Sequence, residues 1–473
     1  MTKAKHRKYD VIIVGAGPAG LFAAHLLGKE GRSVLLVDKG SDIDKRKCPV
    51  VERGGVCIEC RLCHIMYGFG GAGGMSDGKC ALTNKSGIDL TKDLDGITFS
   101  ESRIMNIIED IDKLLVSCGA PVEMSYVQEN VHFLKEQAAQ AGIDYIPTPK
   151  KHIGSDLLRE VMQNFKEILL SYNVEILLNE AVDDLLIEDE TCKGLYIKKT
   201  LINAENVLMA PGRSGAFWFL EMAKKYNLAY SFVPLDIGVR IEAPNELMED
   251  IFKIDYDPKF WIYTDAYEDF VRTYCTNPRG FVVKERYLET LGKESFIGVN
   301  GHANKYKKSE NLNFAMLMQH KLTDPQKDMF KYTQSLAYIF YNLGAGKPIL
   351  QTYGDLKKFR RSKESSLKKI NVRPSLTDVT LGDLSLGFSY RIMKDLIDAI
   401  EKLSGVVKGI NSNNTLIYGP EIKFKHIRGK IKKNFESYNL NNLFLAGDGC
   451  GLSGGIINAA TTGILAAEGI LRK

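Results

Sequence analysis

The stretch that decides the fold is the N-terminal sequence in which YDVIIV (residues 9–14) runs into GAGPAG (residues 15–20), followed by SVLLVD (residues 33–38). The outer two segments are short apolar runs that predict buried strands, and Leu21 to Leu27 between them is made of helix-forming residues. The glycines form the pattern Gly-x-Gly-x-x-Gly between strand and helix, and Asp38 ends the second strand. We therefore predict a βαβ unit of a parallel sheet with a dinucleotide site at its first turn.

The three glycines have different purposes in such a turn. The first permits a tight turn, the second lets the backbone approach a pyrophosphate, and the third lets the helix pack closely on the strand, while the acid accepts from ribose hydroxyls. The alternative is a glycine turn with no ligand. The residues predicted to hold a dinucleotide here are Gly15, Gly17, Pro18, Ala19, Gly20, Asp38 and Lys39.

Composition and length exclude several classes of protein. The chain has 473 residues, 44% of them hydrophobic and 26% charged, which is typical of a globular protein. A net charge of +5 is too small to indicate nucleic acid as a partner. No apolar run approaches the roughly 18 residues that span a bilayer, and the basic N-terminus lacks a signal-peptide pattern. Nine cysteines without an export signal predict reduced thiols or metal ligands and a cytoplasmic location.

Apolar periodicity predicts further elements beyond the first unit. Amphipathic helices are predicted across Ile104 to Leu115 and across Leu157 to Leu169, the second after the cap candidate Ser155. Strand-like runs occupy residues 174–178, 195–198, 206–210 and 443–446.

The distribution of these patterns predicts two domains. From about Pro234 the chain becomes richer in Tyr, Phe, Asn and Lys and carries no nucleotide motif, and the nucleotide-type pattern returns near Leu443. We therefore predict an α/β protein with a discontinuous Rossmann-like domain formed by residues 1–233 and 411–473. An inserted α+β second domain is predicted at residues 234–410.

Two later segments indicate which dinucleotide is bound. Asn442 to Asp448 (NLFLAGD), followed by more glycines, resembles the second flavin motif of two-dinucleotide-binding-fold flavoproteins, and Val207 to Gly212 (VLMAPG) resembles their central strand-turn motif. This resemblance implies FAD, with the Asp bonded to the ribityl chain or pyrophosphate. The cofactor-binding residues that it implies are Ala210, Gly212, Arg213, Gly447, Asp448, Gly454, Gly455, Ile456 and Asn458.

A loop rich in Cys and Gly at residues 48–80 indicates a particular family of flavoproteins. Gly68 to Lys79 (GFGGAGGMSDGK) resembles the signature of a prokaryotic family of uncharacterised FAD-dependent dehydrogenases. Matches to that family's later motifs occur at residues 151–156, 236–240 and 449–458. The family resemblance implies a FAD domain of the glutathione-reductase type but no substrate. From the loop it adds Gly70, Gly71, Ala72, Ser76 and Asp77 to the cofactor-binding set.

The chain departs from that family pattern at one segment. Where the family tends to have a Cys-x-Cys-Pro-Gly-Gly segment, residues 275–280 read CTNPRG, which leaves a role for the second thiol in doubt.

Five of the nine cysteines lie in this loop, three of them as Cys-x-x-Cys-x-x-Cys. That spacing brings three thiolates to one centre, as in iron–sulfur clusters and structural zinc sites. A 4Fe–4S cluster or zinc is therefore predicted, with a redox-active disulfide or packed thiols as alternatives. The predicted metal ligands are Cys57, Cys60 and Cys63, with Cys48 or Cys80 as the fourth.

Four side chains are candidates for acid–base chemistry: His152, Asp77, Lys79 and Arg240. His152 precedes a predicted helix, where it could equally stabilise the helix start. Asp77 and Lys79 lie in the glycine-rich loop, and their alternative role is a mutual contact that orders the loop. Arg213 is predicted to contact the cofactor or to form an ordinary salt bridge.

The resulting prediction is an FAD-dependent oxidoreductase that acts on a small molecule. Outside the segments that resemble FAD-binding motifs, no second Gly-x-Gly-x-x-Gly follows a strand, so electrons would come from transiently bound NAD(P)H, from an electron-donor protein through the cysteine centre, or from the substrate. One rival is a flavin-dependent tRNA-modifying enzyme, which a basic, aromatic-lined face near residues 332–361 would favour. The other is an electron-transfer flavoprotein without substrate chemistry of its own.

Overall fold

The computed structural model of the protein describes most of the chain. The described residues are 8–48, 58, 60–84, 86–92, 94, 96–124, 130–291, 294–303, 307–320, 322, 328–423 and 427–473. Of residues 287–291, 294, 295 and 330 it describes the backbone alone.

The described elements alternate between strands and helices along much of the chain. The strands are β1 (Tyr9–Val14), β2 (Val34–Asp38), β3 (Lys79–Ala81), β4 (Asp144–Ile146), β5 (Lys150–His152), β6 (Glu175–Leu178), β7 (Asp184–Glu188), β8 (Thr191–Ile197), β9 (Thr200–Met209), β10 (Tyr230–Phe232), β11 (Leu235–Pro244), β12 (Lys259–Tyr263), β13 (Phe270–Asn277), β14 (Phe281–Leu291), β15 (Glu294–His302), β16 (Asn311–His320), β17 (Ile349–Thr352), β18 (Thr380–Leu381), β19 (Leu416–Lys423), β20 (Ile427–Gly429) and β21 (Leu443–Leu445). The helices are α1 (Pro18–Lys29), α2 (Glu101–Ser117), α3 (Val131–Gln140), α4 (Ser155–Ser171), α5 (Ala216–Lys225), α6 (Glu249–Ile254), α7 (Met329–Gly344), α8 (Tyr353–Leu356), α9 (Glu364–Leu367), α10 (Tyr390–Leu403) and α11 (Ile456–Leu471).

Two compact units divide these elements. The first comprises residues 1–124, 149–233 and 425–473, and the second comprises residues 125–148 and 234–424.

A seven-stranded sheet forms the centre of the first unit. Its strand order is β6-β2-β1-β9-β8-β7, and β21 pairs with β9. The pairs β1–β2, β1–β9, β2–β6 and β9–β21 are parallel. Parallel strands are buried on both faces, which explains why residues 11–14 and 34–37 are apolar throughout. The predicted βαβ unit and Rossmann-like fold class are confirmed.

Local sequence explains the helices of this unit. Ser100 caps α2 through a hydrogen bond from the Arg103 N–H, and the apolar residues at helical spacing are buried. The predicted cap of α4 was wrong by one residue: the cap position is Gly154, at φ +88°, and Ser155 is the first helical residue.

An eight-stranded sheet forms the centre of the second unit, in the order β18-β17-β19-β11-β16-β13-β12-β4. All its neighbours except β17–β18 are antiparallel. Helix α10 packs against β12, β13 and β16.

Unit boundaries differ from the predicted domain ranges in two places. Residues 416–423 form β19, which lies between β17 and β11, so the second unit extends to residue 424 and not to 410. Residues 125–148 also belong to the second unit, because the short strand β4 pairs with β12. Within the part of the chain that the structure describes, no helix is both long and apolar enough to cross a membrane.

Candidate FAD-binding site

The glycines of the first turn separate into packing positions and an open position. A Cβ on Gly15 would lie 2.1 Å from the Ala210 carbonyl oxygen, and one on Gly20 would lie 1.9 Å from the Gly15 oxygen. Gly17 has φ −83°, which any residue adopts, and a Cβ there would meet only the Gly71 Cα, at 3.8 Å. Packing explains the first two glycines, whereas Gly17 leaves room at the N-terminus of α1.

Two helix N-termini meet at the glycine-rich loop. A Cβ on Gly73 would lie 3.2 Å from both Pro18, the first residue of α1, and Ile456, the first residue of α11. Both helices begin after a glycine, Gly17 or Gly455, so no side chain caps their first N–H groups. Uncapped N–H groups and the helix dipole attract anionic groups such as phosphate.

Other open glycines surround the same region. Gly212 and Gly455 have φ +67° and +117°, and in the described part of the chain no atom would lie within 4 Å of a Cβ on either. Gly71 lies against the turn, since its Cβ would be 2.7 Å from the Gly17 Cα. The four predicted cofactor-binding segments therefore converge, and a Cβ at Gly17, Gly212 or Gly455 would project into space that a cofactor can occupy.

Asp38 organises this region through its carboxylate. Oδ2 accepts from the Ala16 N–H at 2.9 Å, and Oδ1 accepts from the N–H groups of Gly40 and Gly68 at 2.8 and 3.0 Å. Next to it, the Lys39 ammonium lies 4.1 Å from the centre of the Tyr67 ring. Because Oδ2 accepts a single hydrogen bond here, it retains capacity for a ribose hydroxyl.

Arg46 holds the glycine-rich loop and was missed in the sequence. Its buried guanidinium donates to four backbone carbonyls at 2.7–2.9 Å, those of His64, Ile65, Phe69 and Gly71. Burial lowers the pKa of Arg46 to about 10, against the opposing effects of Asp38 and Cys63, so it remains charged at neutral pH. No local pattern marks this arginine, because its partners are backbone atoms.

Three of the four acid–base candidates come together at the β3–β5 ladder. The Lys79 ammonium lies 3.1 Å from Asp77 Oδ2, with each side chain no more than 13% exposed. Lys79 is directly opposite His152 in the antiparallel pairing. The adjacent Lys151 is buried and contacts Asp112 at 2.6 Å.

The fourth candidate, Arg240, lies in the second unit. It is fully buried and donates to Asn313 at 2.8 Å, to the Cys275 carbonyl at 2.6 Å, and to Asn300 at 3.3 Å. It also pairs with Glu421 at 3.2 Å. These contacts favour a structural role for Arg240.

The turn between β21 and α11, in the C-terminal segment, also belongs to the candidate site. Arg213 forms a salt bridge with Asp448 at 3.2 Å, which is the second of its two predicted roles, and Ser453 donates to the same carboxylate. Asn458 Oδ1 accepts from the N–H groups of Ile88 and Gly454, and its Nδ2 donates to the Ile88 carbonyl. Asn458 therefore anchors residues 87–88 to α11.

The Ser76 side chain forms hydrogen bonds within the glycine-rich loop. Its hydroxyl donates to the Gly73 carbonyl at 2.7 Å and accepts from the Gly78 N–H at 3.1 Å.

The predicted metal centre is not supported by the residues that the structure describes. Among them no group of three His, Cys, Asp or Glu side chains could hold a metal ion. Cys48, Cys60 and Cys63 are half-buried and Cys80 is fully buried, all as free thiols, while Cys57 lies outside the described residues. Burial, together with Asp112, raises the pKa of the Cys80 thiol to about 12, so this thiol is protonated at neutral pH.

Comparison with known families agrees with the site. Residues 8–61 match the profile of a family described as FAD binding domain. Because FAD carries out electron and hydride transfer in enzymes, the class of protein that the fold and the site define is an FAD-dependent oxidoreductase.

Among the individual proteins similar to this chain are two matched by sequence and one matched by structure. An uncharacterized protein from Clostridium beijerinckii is 26% identical over 98% of this chain and 80% of its own length. Protein FixC from Escherichia coli K12 is 24% identical over 52% of this chain and 46% of its own length. A solved structure, L-proline dehydrogenase from P. horikoshii, is 13% identical with a TM-score of 0.44, over 98% of this chain and 94% of that one.

Proposed function

We propose that this FAD-dependent oxidoreductase oxidises or reduces a small-molecule substrate, with FAD bound non-covalently to the first unit. The observation that carries the proposal is the meeting of two uncapped helix N-termini, α1 and α11, at glycines that leave open volume on the ligand side. Such an arrangement suits the two phosphates and the polar chain of FAD.

Residues of four segments would hold FAD. The N–H groups of Gly17 and Ala19 would bind the pyrophosphate, Asp38 would accept from the ribose, and the start of α11 would contact the flavin end. Arg213 and Asp448, joined by their salt bridge, would hold the turn between β21 and α11 in position for contact with FAD. When bound, FAD supplies the site with an acceptor or donor of one or two electrons.

Proton transfer would be supplied by the β3–β5 ladder. The Lys79 ammonium, held 3.1 Å from Asp77, can hold a proton at Nζ, and the His152 imidazole on the strand opposite it is a second proton carrier. Asp77 would position Lys79 instead of acting on the substrate itself.

The source of electrons is proposed to be NAD(P)H that binds transiently, or an electron-donor protein, since every Gly-x-Gly-x-x-Gly of the chain (residues 15–20, 68–73 and 449–454) lies in a segment that we assign to FAD.

Purification tests the proposal directly. The protein should be yellow, and acid treatment should release one FAD per chain because no covalent attachment is expected. Anaerobic addition of NADH or NADPH should bleach the flavin absorbance if these cofactors are reductants. A colourless protein that cannot be reconstituted with FAD would contradict the proposal.

A second candidate function is RNA modification, which one surface feature favours. Residues 357–373 hold eight Lys and Arg against one Glu, a larger excess than the net charge of the whole chain. Beside them Phe359 and Tyr390, 43% and 65% exposed, stack at 6.2 Å. Basic surfaces with exposed aromatic rings are typical of RNA-binding proteins. The overlap with the predicted 332–361 face is limited to residues 357–361.

Salt-dependent retention of tRNA on filters tests this candidate. Binding that falls steeply with salt, and that the charge reversals Lys368→Glu and Lys369→Glu weaken, would support it. The exposed Lys331→Glu, away from this stretch, is the matched control. Equal retention of tRNA by the Lys368→Glu, Lys369→Glu and Lys331→Glu variants would exclude the candidate.

A further inference from the structure

One face of the sheet in the second unit is aromatic, cationic and partly exposed. On β12 and β13 the residues alternate strictly: Phe260, Ile262 and Val271 are no more than 1% exposed. Helix α10 packs against these strands. The residues between them point to the opposite face, which we call the aromatic face; it comprises Lys259, Trp261, Tyr263, Phe270, Arg272 and Tyr274.

Contacts within the aromatic face confirm that its members are neighbours. Trp261 is directly opposite Arg272 in the β12–β13 pairing. The Phe270 ring lies 5.5 Å from the rings of both Trp261 and Tyr263. Arg272 and Lys259 lie 5.6 and 5.7 Å from the centre of the Tyr274 ring. Tyr263 is 56% exposed, so this face is accessible.

Arg272 differs from the other buried arginines in how few of its donors are used. Arg46 and Arg240 each donate through all three nitrogens to protein acceptors. Among the described residues, Arg272 makes one hydrogen bond, from Nη2 to Asp236 Oδ2 at 2.7 Å, and its Nε makes none. A guanidinium has five N–H donors, so most of those on Arg272 are available to another acceptor.

The unused donors of Arg272 favour an anion. The formal charges of the face balance, because Arg272 and Lys259 are offset by Asp236 and by Asp144, which is opposite Trp261 in the β4–β12 pairing. A half-buried guanidinium, with its side chain 24% exposed, gains most from a planar acceptor that can take two parallel N–H bonds, such as a carboxylate. The surrounding rings favour a flat apolar body on that carboxylate, through stacking and apolar contact.

We propose that the aromatic face is the substrate-recognition surface of the second unit and that it binds a carboxylate attached to a planar, apolar body. Arg272 holds the carboxylate, Trp261 and Tyr263 contact the body, and Asp236 positions Arg272. This inference rests on the proposed small-molecule oxidoreductase function and specifies the class of its substrate.

Calorimetric titration of the purified full chain with three probes tests the chemistry. Benzoate carries both features, benzamide lacks the charge, and acetate lacks the planar body. Benzoate should bind saturably, and benzamide and acetate at least about tenfold more weakly, as expected for loss of a charged hydrogen bond or of apolar contact. Equal binding of benzoate and benzamide would overturn the proposal.

Variants locate the site. Arg272→Gln should weaken benzoate about tenfold or more while leaving benzamide unchanged, and Arg272→Lys should fall between. Lys394→Gln, an exposed residue of α10, is the matched control and should bind as the wild type. Wild-type affinity for benzoate in a folded Arg272→Gln would overturn the proposal; if that variant does not fold, Arg272→Lys and the three probes decide.

The flavin content of each sample is measured separately by its absorbance. Loss of FAD with benzoate binding intact would contradict the proposed function alone. Retention of FAD without selective benzoate binding would contradict the aromatic-face proposal alone.

Discussion

Gly17 is a residue at which the demands of packing and of ligand binding can be separated. Its backbone is extended and its Cβ position is open, so Gly17→Ala and Gly17→Val should leave the stability of the FAD-free protein nearly unchanged. Because the added side chain would occupy the room at the N-terminus of α1, FAD content should fall for Ala and be lost for Val. The ratio of flavin to protein absorbance and the melting temperature of the FAD-free form measure the two effects.

Retention of stoichiometric FAD by Gly17→Val would show that the turn has another purpose. Gly20→Ala is the contrasting variant, because its Cβ would lie 1.9 Å from a carbonyl oxygen and should destabilise the fold itself.

Arg46 links loop conformation to the same site. Arg46→Met should leave four carbonyls without their donor and cost about 3–5 kcal/mol of unfolding free energy, the range for breaking a buried charged network. Residues 64–71 should become sensitive to protease, and FAD should bind more weakly. The exposed Arg32→Met is the control, measured by the same urea denaturation and limited proteolysis.

A protease-resistant Arg46→Met with unchanged stability would mean that the loop is held by other contacts. Arg46→Lys should recover part of the stability, because one ammonium reaches fewer of the four carbonyls than a guanidinium fork.

At the residue scale the sequence predicted where the site lies better than what each side chain does. The glycine turn could be predicted because glycine is required wherever the backbone packs too closely for a side chain, and the Gly-x-Gly-x-x-Gly pattern shows those positions in the sequence. Asp38, Ser76 and Asn458 were predicted as cofactor contacts, but their polar atoms also bind backbone groups of the loops around them. Such partners depend on the conformation of distant loops and cannot be predicted from spacing.

At the scale of elements, α10 carries a carboxyl group whose protonation should affect stability. Asp395 is buried, accepts from Thr264 at 2.7 Å and faces Asp269, which pairs with Arg391. Burial, reinforced by Asp269, raises the pKa of Asp395 to about 6 from its usual value of 3.8. The folded protein therefore binds this proton more tightly than the unfolded chain, and stability should decrease as pH rises from about 4 to about 6.

Asp395→Asn removes this penalty while keeping the acceptor for Thr264. The variant should be more stable than the wild type by about 1–2 kcal/mol at pH near 7, and the difference should vanish near pH 4. Denaturant unfolding across this pH range measures the effect, with the exposed Glu364→Gln as control. A constant difference at all pH values would show that protonation is not its cause.

Helices and strands with a clear apolar pattern were predicted from the sequence. Short strands that exist only because they pair with a neighbouring strand were not. The helices α2 and α4 and the strands β1, β2 and β21 follow from their apolar patterns. The three-residue strand β4 has no pattern of its own and exists because β12 offers it an edge. The alternation that defines the aromatic face lies in burial and not in residue type, because residues 260–263 of β12 are all apolar or aromatic.

For the whole molecule, the decisive question is what closes the cysteine loop. A metal centre was predicted from the spacing of the cysteines, and it would also offset the entropy that a glycine-rich loop with few apolar side chains loses on ordering. The described part of the loop has other restraints: Arg46 binds four of its carbonyls, and Asp38 binds the Gly68 N–H. These bonds remove the need for a metal to order residues 64–71.

Thiol titration of the native protein at mildly alkaline pH should therefore divide the cysteines by burial. Cys80, Cys192 and Cys450 should stay unreactive, because burial raises the pKa of each thiol. Cys60 and Cys63 should react, since they are half-buried and are not gathered with a third ligand among the described residues. Iron, sulfide and zinc analysis of anaerobically purified protein runs in parallel. Protection of Cys60 and Cys63 that is lost only when iron and sulfide are removed would restore the electron-relay hypothesis, because a cluster would then be bound by thiolates that include Cys57.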